Sequence, residues 1–98
     1  MIIKEINVGP KIAYEVSGKK ITFGDDELML NLSKYERDQE VIINICNDDD
    51  GILIAGLSKY FVANIIIPAR SYDGETPVPF DMDKVELDLW ALETKEDE

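Results

Sequence analysis

Apolar and polar side chains alternate through segment after segment of this chain, and that period constrains its fold more than any motif it carries. Ile12, Tyr14 and Val16 are separated by Ala13 and Glu15; Leu28, Leu30 and Leu32 by Met29 and Asn31; Val85, Leu87 and Leu89 by Glu86 and Asp88. A period of two places such residues on one face of a strand, whereas helical rotation would scatter them around the axis. Leucine favours helices, yet the three leucines at 28, 30 and 32 share no helical stripe, so the strand reading prevails.

Turn chemistry divides the strands. Gly9-Pro10, Ser17-Gly18-Lys19-Lys20, Gly24-Asp25-Asp26 and Asn47-Asp48-Asp49-Asp50-Gly51 each interrupt an apolar run. Short Gly-bearing loops between alternating runs predict a hairpin around Gly18 and another around Asp50-Gly51. Val41 to Cys46 is almost continuously apolar and β-branched, the pattern of a strand covered on both faces. Phe61 to Ile67 is a further strand, ended by Pro68, which cannot donate in a ladder. Ser33 to Glu40 is a charged connection with room for one helical turn, and Ser71 to Asp83 is the least regular stretch. The expected fold is all-β: a single small sandwich or partly open barrel of about seven to eight short, mainly antiparallel strands, with at most one short helical turn. Residues 1–93 are expected to form this one β-domain, and residues 94–98 an acidic, frayed tail.

The tetrapeptide Leu-Ser-Lys-Tyr occurs at Leu32–Tyr35 and again at Leu57–Tyr60. A match of this length arises by chance roughly once in fifteen to twenty chains of this size and ordinary composition, and repeat folds need about three units to bury a common core. The two copies are read as similar strand-end turns, with Ser33 and Ser58 supplying local hydrogen bonds and Tyr35 and Tyr60 resting on the core. The competing readings are a recognition element and a duplication.

Composition excludes more chemistry than it supplies. The chain has no histidine, which removes Ser-His and Cys-His nucleophilic pairs and ordinary zinc sites. The single Cys46 has no partner for a disulfide and sits in an apolar run, as a small buried hydrophobe does. No phosphate-cradling glycine pattern is present. With Gly51 at the sixth position of a calcium loop, the first ligand position falls on Cys46 and the twelfth on Leu57, so that match fails. Asp81-Met82-Asp83 carries only three residues of a metal-binding signature. Neither a catalytic residue, a metal site nor a cofactor is assigned, and an enzyme is not expected.

A formal net charge of −11 disfavours direct contact with nucleic acid or with an anionic membrane surface. No secretory leader is visible ahead of Lys4 and Glu5, and the apolar run Ile65-Ile66-Ile67 is far too short to span a bilayer, so a cytoplasmic location is expected. The leading expectation is a protein-interaction or self-assembly module. Its candidate contacts are the last strand, where Glu86, Asp88, Trp90 and Leu92 share ground, and the loop bearing Tyr72 and Phe80. An uncovered strand edge offers a route to a homodimer. The alternative is an inhibitor that imitates nucleic-acid charge and occupies a basic nucleic-acid-handling protein, as accessory proteins of mobile elements do. It requires Asp25, Asp26, Glu27, Asp48, Asp49 and Asp50 to gather on one side with Asp81 and Asp83.

Overall fold

A computed structural model describes residues 1–92. The tail expected at 94–98 lies outside the described residues. The fold is all-β. Ten strands appear in chain order: β1 (Ile2–Glu5), β2 (Tyr14–Ser17), β3 (Lys20–Phe23), β4 (Leu28–Asn31), β5 (Val41–Asn47), β6 (Leu53–Ala55), β7 (Tyr60–Ile67), β8 (Tyr72–Asp73), β9 (Thr76–Pro77) and β10 (Glu86–Leu89). Two 3-10 turns, at Leu32–Tyr35 and Met82–Lys84, complete the described chain.

The strands form a five-stranded sheet in the order β1-β10-β7-β5-β6, a three-stranded sheet β2-β3-β4, and the small ribbon β8-β9. All pairings are antiparallel except β1 with β10, which run parallel. The parallel pair is closed by a connection that spans most of the chain, so alternation within either strand carries no sign of it.

Each of the two expected hairpins forms where its turn residues predicted. Between β2 and β3 only Gly18 and Lys19 are unpaired, and Gly18 adopts a φ of 62°, the positive angle that the first position of a II′ turn demands. In the β5–β6 loop the Asp48 carboxylate accepts from the amides of Asp50 and Ile52, both at 2.9 Å. Gly51 closes that loop at φ 80°.

The core lies between the two larger sheets. Ile21 and Phe23 of β3, with Leu30 and Leu32 from β4 and the turn after it, meet Ile45, Ala63, Ile65, Ile67, Val85, Leu87 and Leu89 of the large sheet. Alternation in β3, β4, β7 and β10 is therefore the alternation between this core and the opposite face.

Two expectations are corrected. Val41–Cys46 is covered on both faces only at its far end: Val41, Ile43 and Ile45 turn toward the small sheet, while on the other side Ile42 is 57% exposed and Cys46 is buried. An apolar run marks a strand whose two faces both carry hydrophobes, and coverage depends on whether a second layer exists. The two Leu-Ser-Lys-Tyr copies also differ. The first is a 3-10 turn in which Asn31 accepts from the amide of Ser33 at 3.3 Å and its hydroxyl at 2.7 Å, while Tyr35 packs on the core. The second leads into β7, where Tyr60 pairs with Asn47. Neighbouring context, not the tetrapeptide, sets the local structure.

Candidate functional site

The face of the five-stranded sheet turned away from the core is built in three cross-strand rows, fixed by the register. The first runs Ile2, Glu86, Ile66, Ile42. The second runs Lys4, Asp88, Asn64, Asn44. The third begins at Trp90 and passes through Phe61 and Cys46 to Ile54.

The third row depends on a bulge. Ala63 pairs with Ile45, but the next pair is Phe61 with Cys46, so β7 carries one residue more than β5 at this point. Without it, Phe61 would share the core parity of Ala63 and Ile65. With it, Phe61 stands on the outer face and stacks on Trp90, ring centroids 5.7 Å apart and planes inclined by 27°. Val62, whose carbonyl accepts the Trp90 amide at 3.0 Å, is buried, as is Cys46. Neither belongs to the main core, and the register sets Cys46 on this side of the sheet. Cys46 is buried as a small hydrophobe.

Polar side chains hold the aromatic pair in place. The Trp90 indole nitrogen donates to Asn64 Oδ1 at 2.6 Å, and Asn64 Nδ2 donates to Asn44 Oδ1 at 2.8 Å. The middle of the face is thus a relay across three strands with its donors and acceptors matched, which orients a half-buried ring that would otherwise have several rotamers.

Beside the relay, Glu86 and Asp88 project from β10 with one cation, Lys4, whose amine lies 3.4 Å from Glu86. Burial, followed by the hydrogen bond and like charge of Glu86, pushes the Asp88 carboxyl above its ordinary value. Accepting that hydrogen bond, helped by Lys4, draws Glu86 below its own. Asp88 Oδ1 is buried with no hydrogen-bond partner in the described chain, which agrees with the direction of its shift.

The structure brings three of the expected contact residues together here: Trp90, Glu86 and Asp88. Leu92 follows them, its amide donating to the Pro10 carbonyl at 2.7 Å. Tyr72 and Phe80 are elsewhere, beyond the far end of β7. The loop that carries them is fastened to the connection after the first 3-10 turn: Tyr72 donates to Asp38 at 2.7 Å, and Arg70 reaches Asp38 at 3.2 Å and Glu36 at 3.5 Å. Phe80 packs against the main core, so it serves the loop's attachment. Phe61, Asn64 and Asn44 were missed by reading the sequence. Alternation assigns Phe61 to the core, and no local pattern announces a bulge.

The acids do not all gather. Asp81 and Asp83 precede β10, beside the Ile67 and Val41 ends of their neighbours, whereas Asp48 to Asp50 extend beyond Asn47 at the other end of β5. Seven residues of strand separate these ends, about 20 Å at ~3.3 Å per residue. Asp48 also spends its carboxylate on its own loop. Among the described residues, no helix is long and apolar enough to cross a membrane.

Comparison with protein-family models, with curated proteins and with solved structures gave no match.

Proposed function

We propose that this chain is a small non-catalytic protein-interaction module whose contact surface is the outer face of the five-stranded sheet. One observation carries the reading: the stacked Phe61–Trp90 pair stands partly exposed on the face turned away from the main core, held in position by the Asn64–Asn44 relay. Aromatic anchors with restricted rotamers lose little entropy on binding and dominate interface energetics. Around them Ile42, Ile66 and Ile2 supply apolar area, and Glu86, Asp88 and Lys4 supply polar selectivity. Such a face discriminates by shape and charge and needs no reactive group.

The test is partner capture from a cell extract followed by reconstitution with the purified partner. Phe61→Glu is expected to weaken binding by about tenfold or more, the effect of losing an interface anchor. Met29→Glu, on the exposed side of the small sheet, should leave affinity unchanged. A Phe61→Glu variant that folds and binds like the parent removes this face from the proposal.

A further inference from the structure

At β1 the large sheet ends in an edge that borders the outer face and shares Ile2 and Lys4 with it, apart from the Phe61–Trp90 pair. Among the described residues β10 is the only neighbour of β1, and no strand pairs with its other side. The amides of Ile2 and Ile6 donate to Val85 and Leu89, both at 2.8 Å, so even-numbered residues turn their backbone groups toward β10. Ile3 and Glu5 consequently turn their N–H and C=O groups outward. All four β1 residues are exposed, and the apolar surface continues past the strand through Ile6 and Val8, the latter 99% exposed. Natural edges are usually blunted by charge, bulges or cover; here Lys4 and Glu5 interrupt the aliphatic run of Ile2, Ile3, Ile6 and Val8 beside an unpaired backbone. A row of outward donors and acceptors is matched by another extended strand.

We propose that the strand is β1 of a second copy of this chain, paired antiparallel about a two-fold axis through Ile3. Charge permits the approach. Residues 1–20 hold four lysines against two glutamates in a chain of net charge −11, so the edge lies in its least acidic segment. Backbone parity then restricts the register, since outward residues pair only with outward residues. An axis at Lys4 sets Lys4 opposite its mate, and an axis at Glu5 does the same with glutamate; like charges directly opposed are destabilising. The axis at Ile3 pairs Ile3 with Ile3 and Ile2 with Lys4, opposing no like charges. This axis stands perpendicular to the sheet, so one continuous sheet runs through both copies and both Phe61–Trp90 pairs point the same way.

A cysteine scan of positions 2 to 5, read against light scattering, tests the register and the surface together. Across a hydrogen-bonded antiparallel pair the Cα atoms lie about 5.5 Å apart, within disulfide reach. Ile3→Cys is therefore expected to give the fastest covalent dimer under mild oxidation, while the parent, whose Cys46 is buried, gives none. The parent should rise with concentration toward twice its 11.1 kDa mass. Ile3→Pro, which removes only an outward donor, should lose that rise and keep a cooperative unfolding transition; Ile3→Asp, which opposes like charges, should do the same. Phe61→Glu should dimerise as the parent does. A parent that stays monomeric at its highest soluble concentration overturns the proposal. So does cross-linking that peaks at another position, or a dimer that survives Ile3→Asp.

Discussion

Replacing Asn64 with alanine tests whether the relay on the outer face positions Trp90. Two side-chain hydrogen bonds vanish, one from the indole at 2.6 Å and one to Asn44 at 2.8 Å. Each is worth about 1 kcal/mol net, and the partial exposure of the site lets water replace part of what is lost. The expected cost is therefore about 1–2 kcal/mol, and at ~4–8 °C per kcal/mol for a domain of this size the Tm should fall by roughly 4 to 16 °C. Asn44→Ala breaks only the outer link, so it should cost about 1 kcal/mol and leave the indole bond intact. The pair should be non-additive, because both changes remove the same Asn44–Asn64 bond. Thermal unfolding by circular dichroism measures the costs. Tryptophan fluorescence reports the site alone, since Trp90 is the only tryptophan in the chain. Asn64→Ala should alter its emission and polarisation, and Asn44→Ala should change them little. If Asn64→Ala costs less than about 0.5 kcal/mol, the range of an ordinary surface substitution, and leaves the emission unchanged, the relay does not hold the ring.

Other outcomes follow from the same structure. Ile65 is fully buried between the sheets, and Ile65→Ala should cost about 3–4 kcal/mol in urea unfolding, as truncation in a close-packed core does. Asp48→Ala removes two backbone hydrogen bonds at the β5–β6 loop and should lower stability by about 1–2 kcal/mol, with no change in the dimer. Asp88→Asn tests the carboxylate pair. Because the Asp88 carboxyl is raised on folding, the folded chain binds the extra proton more tightly than the unfolded chain does. That term is favourable at low pH and is lost as pH rises from the ordinary aspartate range through the raised value. Asp88→Asn should therefore gain stability over the parent at neutral pH and lose that advantage as pH falls toward 4, measured as the difference in Tm across pH. An advantage that instead grows toward low pH contradicts the assigned direction.

Much of the fold was legible because its elements announce themselves locally. Leu28, Leu30 and Leu32 face the core as their period predicts, and Gly18 and Gly51 sit where positive φ is needed. The face shared by Glu86, Asp88 and Trp90 was also legible, since it follows from counting along one strand. What escaped was non-local. The parallel pairing of β1 with β10 joins strands more than 80 residues apart, and nothing in Ile2–Glu5 encodes its neighbour. Val41 to Cys46 is doubly covered only near Ile45 and Cys46, and Ile42 stands open, because residue type reports what a face tolerates, not what lies against it. Phe80, expected among the contact residues, packs against the core, a long-range contact that its loop sequence does not announce.

The extra residue in β7 has a consequence for how this surface can persist while the chain changes length. Phe61 and Cys46 share the outer face because the pairing slips by one position between Ala63 and Phe61. The slip absorbs Val62, which has no partner of its own in the ladder. Removing Val62 would close the bulge and leave Phe61 opposite Cys46, on the same face as before. Among descendants of a common ancestor, one codon can therefore be gained or lost at this point while the aromatic contact is kept. A comparison by position alone would record a gap where the surface had not changed.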